Sequence, residues 1–205
     1  NSLEINPNYA DAYYHYGLLL IELKDHEEAK NTFDKVTEID QNYSSAYFFK
    51  ARILTHSDDF ESARSNYETA IDINEKFEEA HYYMAKLLIG GVATDKEGTI
   101  VDKSNIPEAK KHLLNALKLN PKNAKALYNL GKVHIIEGSY SKAKINFKKA
   151  ISADKEYSKA HYLLGTVFLQ ENDNRNAEKH LTHSIKFFEQ NSKAHFKLGE
   201  MYYKE

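Results

Sequence analysis

The sequence predicts an all-α protein built as a solenoid of antiparallel helix pairs, and three observations indicate this fold class. The first is composition, since 205 residues include only 3 Pro and 8 Gly, which leaves few breaks in helices. The second is a spacing of 34 residues at which small residues recur. The third is that apolar residues in each 34-residue block follow the spacing of one helical face.

The repeat becomes visible when the chain is written in blocks that begin at residue 10. The blocks are 10–43, 44–77, 78–123, 124–157 and 158–191, with a partial block at 192–205, and the third block carries 12 extra residues. Position 8 of a block is always Gly or Ala, and position 20 is always Ala. Position 3 is always alanine: Ala12, Ala46, Ala80, Ala126, Ala160 and Ala194.

Each block predicts two helices joined by a turn. Position 24 is large and position 27 is small, so side chains can fill space between helices that approach closely at positions 8 and 20. Turn-forming residues separate the two helices at 24–25, 57–59, 138–139 and 172–174. The large residues at position 24 are Phe33, Tyr67, Leu113, Phe147 and Leu181.

This arrangement resembles the tetratricopeptide repeat (TPR) family, and residues 126–151 are close to its consensus. The resemblance covers the chain and implies a right-handed superhelix, with residues 1–9 ending a preceding repeat. The proline expected at position 32 occurs only as Pro7 and Pro121. Where the family prefers Trp at position 4, His81, His161 and His195 predict packed rings with one nitrogen hydrogen-bonded.

The resemblance also implies that the first helix of each pair lines a concave groove. Position 5 is aromatic in every block and position 9 is basic in the three central ones, which suits an extended peptide with acidic groups. The alternative is that the position-5 rings pack between repeats. The candidate partner-binding residues are Tyr14, Phe48, Arg52, Tyr82, Lys86, Tyr128, Lys132 and Tyr162.

Two specialised ways of binding in this family are not expected. Position 5 is never Lys, which the grip on a terminal carboxylate would need, and position 6 has a single Asn where an asparagine ladder would need many. The sequence therefore resembles a generic TPR array.

The 12-residue insertion, near 90–103, lies between the two helices of the third repeat. Gly90 and Gly91 predict the end of one helix, and Ser104 or Asn105 with Pro107 predicts the start of the next. The loop is expected to be either solvated or in contact with a partner. Its acidic residues lack the ligand order of an EF-hand, so calcium is not expected.

Charge is distributed unevenly along the chain. Residues 1–103 have a net charge of −10 and residues 104–205 a net charge of +8. Three interpretations stay open: the oppositely charged ends attract head to tail, an acidic partner binds the C-terminal half, or the repeats diverged with a local lysine-rich bias. Nucleic acid is not expected, because RNA-reading helical repeats have another period.

No sequence motif indicates catalysis. Cysteine is absent, phosphate loops and zinc-protease motifs are missing, and His180 with His183 lacks a third metal ligand. We therefore expect no enzyme, cofactor or metal. The longest strongly apolar run is residues 18–21, so no membrane insertion is expected, and the lack of cysteine favours the cytoplasm.

The sequence predicts a non-catalytic protein–protein interaction scaffold that holds an extended peptide or a helix of a partner in its concave groove. Two alternatives remain: a scaffold that self-assembles head to tail, or the substrate-recruiting region of a larger multidomain enzyme. Because the chain begins with Asn1, we expect it to be a piece of a longer protein.

Overall fold

The computed structural model describes residues 9–91 and 102–203, and all regular structure in these ranges is helical. The chain divides into two compact units, which we call unit 1 (residues 1–90) and unit 2 (residues 91–205). This division falls inside the third repeat, so its first helix belongs to unit 1 and its second to unit 2. Most of the predicted insertion, residues 92–101, lies outside the described residues.

Unit 1 consists of two complete helix hairpins followed by one further helix. The second helix of each hairpin packs on its own first helix and on the first helix of the next repeat. The helices are α1 (Ala10–Glu22), α2 (His26–Ile39), α3 (Ser44–His56), α4 (Phe60–Ile73) and α5 (Glu78–Gly90).

Unit 2 begins with a single helix, continues with two hairpins and ends with another single helix. Its first helix begins after Asn105 and contains Pro107 in its first turn, as the sequence predicts. The helices are α6 (Ile106–Leu119), α7 (Ala124–Ile136), α8 (Tyr140–Ala153), α9 (Ser158–Gln170), α10 (Asn174–Phe187) and α11 (Ser192–Tyr203). No helix of the described residues is both long and apolar enough to cross a membrane.

The core of both units is built from the repeated small and large residues, which confirms the packing predicted from the sequence. All five residues at position 20 and all five at position 24 are completely buried. At position 8, Gly131 lies directly against the ring of Phe147, so the absence of a side chain allows α7 and α8 to approach closely. Gly17 has the same relationship with Phe33 in unit 1.

The turn inside each hairpin has one backbone form that is shared by different residues. Position 15 has a positive φ in four repeats, at Lys24, Asp58, Gly138 and Asn172. The amide of the following residue donates to the carbonyl five residues before it, for example from Ser139 to His134 at 2.7 Å. This left-handed cap ends the first helix and reverses the chain.

The residue after this turn starts the second helix. In α2, α4 and α10 it is an aspartate whose side chain accepts a hydrogen bond from the amide three residues later. These are Asp25, Asp59 and Asp173, and each supplies an acceptor to an otherwise unpaired helical N–H group. The same short sequence therefore both stops one helix and starts the next.

Candidate functional site

The aromatic residues at position 5 contribute to packing as well as to a surface. In three repeats the position-5 ring contacts the aromatic residue at position 34, the last of its block. The ring centroids are 5.0 Å apart for Tyr14 and Tyr43, 4.9 Å for Phe48 and Phe77, and 5.2 Å for Tyr128 and Tyr157. These rings fix the connection between consecutive repeats.

This packing separates the predicted contact residues into two groups. Phe48 is only 4% exposed, and burial raises the pKa of the Tyr14 hydroxyl, although a hydrogen bond with Ser45 opposes that shift. Tyr82 and Tyr162 are half-buried and belong to blocks that end in asparagine rather than in a ring. Tyr82 and Tyr162 are therefore more exposed to solvent than Phe48.

Position 6 forms a second row of rings that the sequence interpretation did not include. The ring of Phe49 on α3 lies 6.0 Å from Tyr14 on α1, and that of Tyr83 on α5 lies 5.6 Å from Phe48 on α3. A position-6 ring therefore contacts the position-5 ring of the preceding repeat. In the sequence, this second row is visible only as two adjacent aromatic residues at positions 5 and 6 of blocks 2 and 3.

Arg52 is the centre of the aromatic surface in unit 1. Its guanidinium carbon lies 5.2 Å from the ring centroid of Tyr83, 5.5 Å from Phe49 and 5.9 Å from Phe48. The ammonium group of Lys86 lies 5.6 Å from the Tyr83 ring. We call Phe49, Arg52, Tyr83 and Lys86 the cation–aromatic patch.

Arg52 and the nearby Lys50 differ in whether they form an ion pair with a carboxylate. Lys50 and Lys30 contact Asp34 at 2.6 and 2.9 Å, and although burial opposes it, these two cations hold the pKa of Asp34 below its ordinary value. Arg52 forms no ion pair with any residue that the structure describes. Its guanidinium group therefore has no carboxylate partner among these residues, unlike the ammonium group of Lys50.

A tyrosine beneath the patch stays neutral. Burial raises the pKa of Tyr67 to about 12, a shift that its contact with Thr55 and the positive charge of Arg52 only partly oppose. Tyr67 is completely buried and its hydroxyl lies 3.5 Å from that of Thr55. The patch therefore has an uncharged base.

The first helices of unit 2 present a surface that differs from the cation–aromatic patch of unit 1. Tyr128 packs on Phe147 and Tyr157, while Lys132 and Tyr162 are half-buried. Beside them, a cavity of about 570 Å³ is lined by residues of α7, α9, the turn after α9, α10 and α11. Its apolar lining includes Ile135, Leu163, Val167, Leu169 and Met201.

The charged groups of this cavity neutralise each other. Lys197 and Glu200, both lining it, form an ion pair at 2.7 Å. The cavity therefore presents an apolar surface without a free charge from this pair, in contrast to the patch of unit 1. Within the described part of the chain, no three His, Cys, Asp or Glu residues are grouped so that they could hold a metal ion.

These features define the class of protein. Hairpins of 34 residues pack by small residues at fixed positions, and their first helices carry a row of rings and cations. This is the organisation of an α-helical repeat protein, in which each hairpin buries its apolar face against its neighbours.

The chain belongs to the tetratricopeptide repeat family. The family model described as "Tetratricopeptide repeat" matches residues 10–43, 44–77 and 124–157, and a second one, described as "TPR repeat", matches residues 100–135. Together they match more than half of the chain. This repeat is a protein-interaction motif, and its fold is generally a non-catalytic scaffold.

Solved structures of low sequence identity share the fold. YrrB, described as a TPR protein with an unusual peptide-binding site, is 19% identical, with a TM-score of 0.74 over 97% of this chain and 96% of that one. Pseudomonas aeruginosa PilF is 20% identical, with a TM-score of 0.78 over 90% and 79%. MamA is 19% identical, with a TM-score of 0.71 over 90% and 94%. A comparison with curated protein sequences found no match.

Proposed function

We propose that this protein is a scaffold that binds a partner as an extended peptide along the first helices of its repeats, and that unit 1 binds an acidic residue of that peptide. The observation that carries the proposal is Arg52, a half-buried cation among three aromatic rings. Neighbouring Lys50 has a carboxylate within unit 1, whereas Arg52 has none among the described residues.

The chemistry of the patch favours a carboxylate beside apolar groups. A guanidinium group offers several N–H donors in one plane and binds a carboxylate with two parallel hydrogen bonds. The rings of Phe49 and Tyr83 hold the cation in place and offer apolar surface to the neighbouring residues of the peptide. Lys86, on the same Tyr83 ring, adds a second positive charge.

In unit 2 we propose that the peptide contributes an apolar side chain to the cavity beside Leu163. Tyr162 and Lys132 belong to the same first helices as the residues that line it, and Tyr128 of α7 packs on Tyr157 in the turn before α9. YrrB, which shares this fold and is a TPR protein with an unusual peptide-binding site, supports a peptide as the ligand.

The experiment selects peptides from a displayed random library on the intact protein and measures their affinity by fluorescence polarisation. Selected peptides are expected to contain Asp or Glu beside apolar residues. Arg52→Ala with Lys86→Ala is expected to weaken binding at least tenfold, since a hydrogen bond to a charged group is worth about 1.5–3 kcal/mol. Changing the peptide carboxylate to its amide is expected to have the same effect.

The matched control replaces two exposed lysines of unit 1 that lie outside the patch, Lys24→Ala with Lys76→Ala. This variant loses the same net charge, so it separates a specific contact from long-range attraction. Equal weakening in both variants, with both still helical by circular dichroism, would contradict a specific acidic site at Arg52. Peptides without acidic residues that still bind would contradict it as well.

Self-association is the second proposal, and the opposite net charges of residues 1–103 and 104–205 favour it. Attraction between these parts of different molecules would produce oligomers that dissociate as salt is added, because salt screens exposed charges. Light scattering at low and high salt tests this, and a monomer at both salt concentrations would contradict it.

A further inference from the structure

Three histidines form a cluster between α9 and α10 in unit 2. His161 on α9 lies with its Nδ1 atom 3.1 Å from Nδ1 of His180 on α10. The ring of His183, one turn further along α10, is stacked on His161 at 5.3 Å. Phe168 is stacked on His180, and Phe187 lies beside His161 and His183.

The hydrogen bonds of the cluster assign its protons. Nε2 of His161 lies 3.3 Å from the carbonyl oxygen of Lys155, and a carbonyl only accepts, so Nε2 carries the hydrogen. In a neutral ring Nδ1 of His161 then has a lone pair, which accepts the N–H of His180. In His183 it is Nδ1 that donates, to the carbonyl of Lys179 at 2.6 Å.

This network is satisfied when all three rings are neutral. Protonation of both His161 and His180 would place two N–H donors opposite each other at the 3.1 Å contact and would set two positive rings side by side. The bond between α9 and α10 would then be replaced by repulsion. The helix pair is therefore bonded in its neutral form and not in its fully protonated form.

The groups around the cluster do not compensate added positive charge. From α8, Lys144 and Lys148 lie over Phe168 at 5.3 and 5.7 Å. Of these two lysines, only Lys144 pairs with a carboxylate among the residues that the structure describes, that of Glu171. From α10 and from the turn before α9 come Lys179, Lys186 and Lys155. Burial, followed by the charge of neighbouring His161, lowers the pKa of His180 to about 4, and burial also lowers that of His161.

Four repeats have both of their helices in the same unit. Of these four, the fifth repeat of the chain is the one that carries the histidine cluster. Positions 4, 23 and 26, which His161, His180 and His183 occupy there, are Leu127, Asn146 and Lys149 in the fourth repeat. The first two repeats have tyrosine at position 4 and no histidine at the other two positions. The same hairpin thus forms elsewhere in the chain without an imidazole cluster.

We infer that this imidazole cluster is an acid-sensitive lock that holds α9 and α10 together when its rings are neutral and releases them when they are protonated. Because the pKa is depressed in the folded protein, the stabilisation is complete above about pH 6.5 and is lost progressively towards pH 4. For His180 alone, the ratio of paired to separated helices falls about 10- to 30-fold between pH 7.5 and pH 5.

The test measures hydrogen exchange in the intact chain at pH 7.5 and pH 5, corrected for the intrinsic pH dependence of exchange. Amides of α9 and α10 are expected to lose protection at pH 5, with α1–α4 as an internal reference. The variant His161→Leu/His180→Asn copies the fourth repeat and is expected to remove this difference. His195→Leu is the matched control, since its Nε2 makes the same backbone bond, to Glu189 at 3.0 Å, from an exposed position.

Equal loss of protection in the wild type and the double variant would overturn the inference, as would its removal by His195→Leu. If the double variant does not fold, nuclear magnetic resonance of the wild-type imidazoles decides. His180 is expected to titrate well below the ordinary histidine value of about 6.5. A His180 midpoint at that ordinary value would overturn the inference.

Discussion

Replacing Gly131 by alanine tests whether close helix approach is what requires glycine at position 8. A Cβ atom at this position would lie 2.4 Å from Cε1 of Phe147 and 2.7 Å from Cδ1. Both distances are shorter than van der Waals contact, and Phe147 is completely buried. Either the ring or the helix must therefore move.

The magnitude follows from two opposing terms. Overpacking a well-packed core by one methyl group costs about 1–3 kcal/mol. The higher helix propensity of alanine stabilises α7 by about 1 kcal/mol relative to glycine. We therefore expect Gly131→Ala to lower the free energy of unfolding by about 0–2 kcal/mol.

Gly199 provides the matched control, because it occupies the same position of the last block and a Cβ atom there meets nothing within 4 Å. Gly199→Ala gains the higher helix propensity of alanine without any overpacking, so it should stabilise α11 by about 0.5–1 kcal/mol. Urea unfolding followed by circular dichroism compares the two. If both variants shift the midpoint equally, Phe147 moves aside without cost and close packing does not explain the glycine.

Three further substitutions test other parts of the fold by the same assay. Ala63→Leu, at a completely buried position 20, should destabilise unit 1 by about 1–3 kcal/mol through overpacking, and an unchanged urea midpoint would refute this packing. Gly138→Ala should cost about 1 kcal/mol because φ is +74° while no atom obstructs the new Cβ, and no loss would refute a conformational origin. Asn123→Ala should cost about 1 kcal/mol because the Asn123 side chain accepts the Ala126 amide at 2.8 Å, and a stability equal to wild type would show that the cap is dispensable.

The helical fold could be predicted from the sequence because its determinants are local and repeated. A small residue at positions 8 and 20 and a large one at position 24 recur at one spacing, so each repeat confirms the others. The same reasoning predicted that His81 and His161 pack with one nitrogen bonded, and both are buried and bonded to a backbone carbonyl. His195 makes the same bond but is exposed.

The candidate site was less predictable because it depends on contacts between repeats. Phe48 follows the pattern of a surface ring, but Phe77, nearly a full repeat away, covers it. Tyr83 reaches Arg52 only once α3 and α5 are adjacent, and nothing in their separate sequences indicates that contact. The spacing of His180 and His183 was visible, whereas His161 joins them from the other helix of the hairpin.

The strongest helix contacts within each unit join neighbours in the chain, or helices only one step further apart. The main packing of the described helices involves elements that are close in the sequence, so few long loops must close before packing begins. A chain that leaves the ribosome from its N-terminus can therefore pair α1 with α2 while α7 has not yet been synthesised. The order of translation and the order of assembly coincide, which keeps the time that apolar helix faces spend unpaired short.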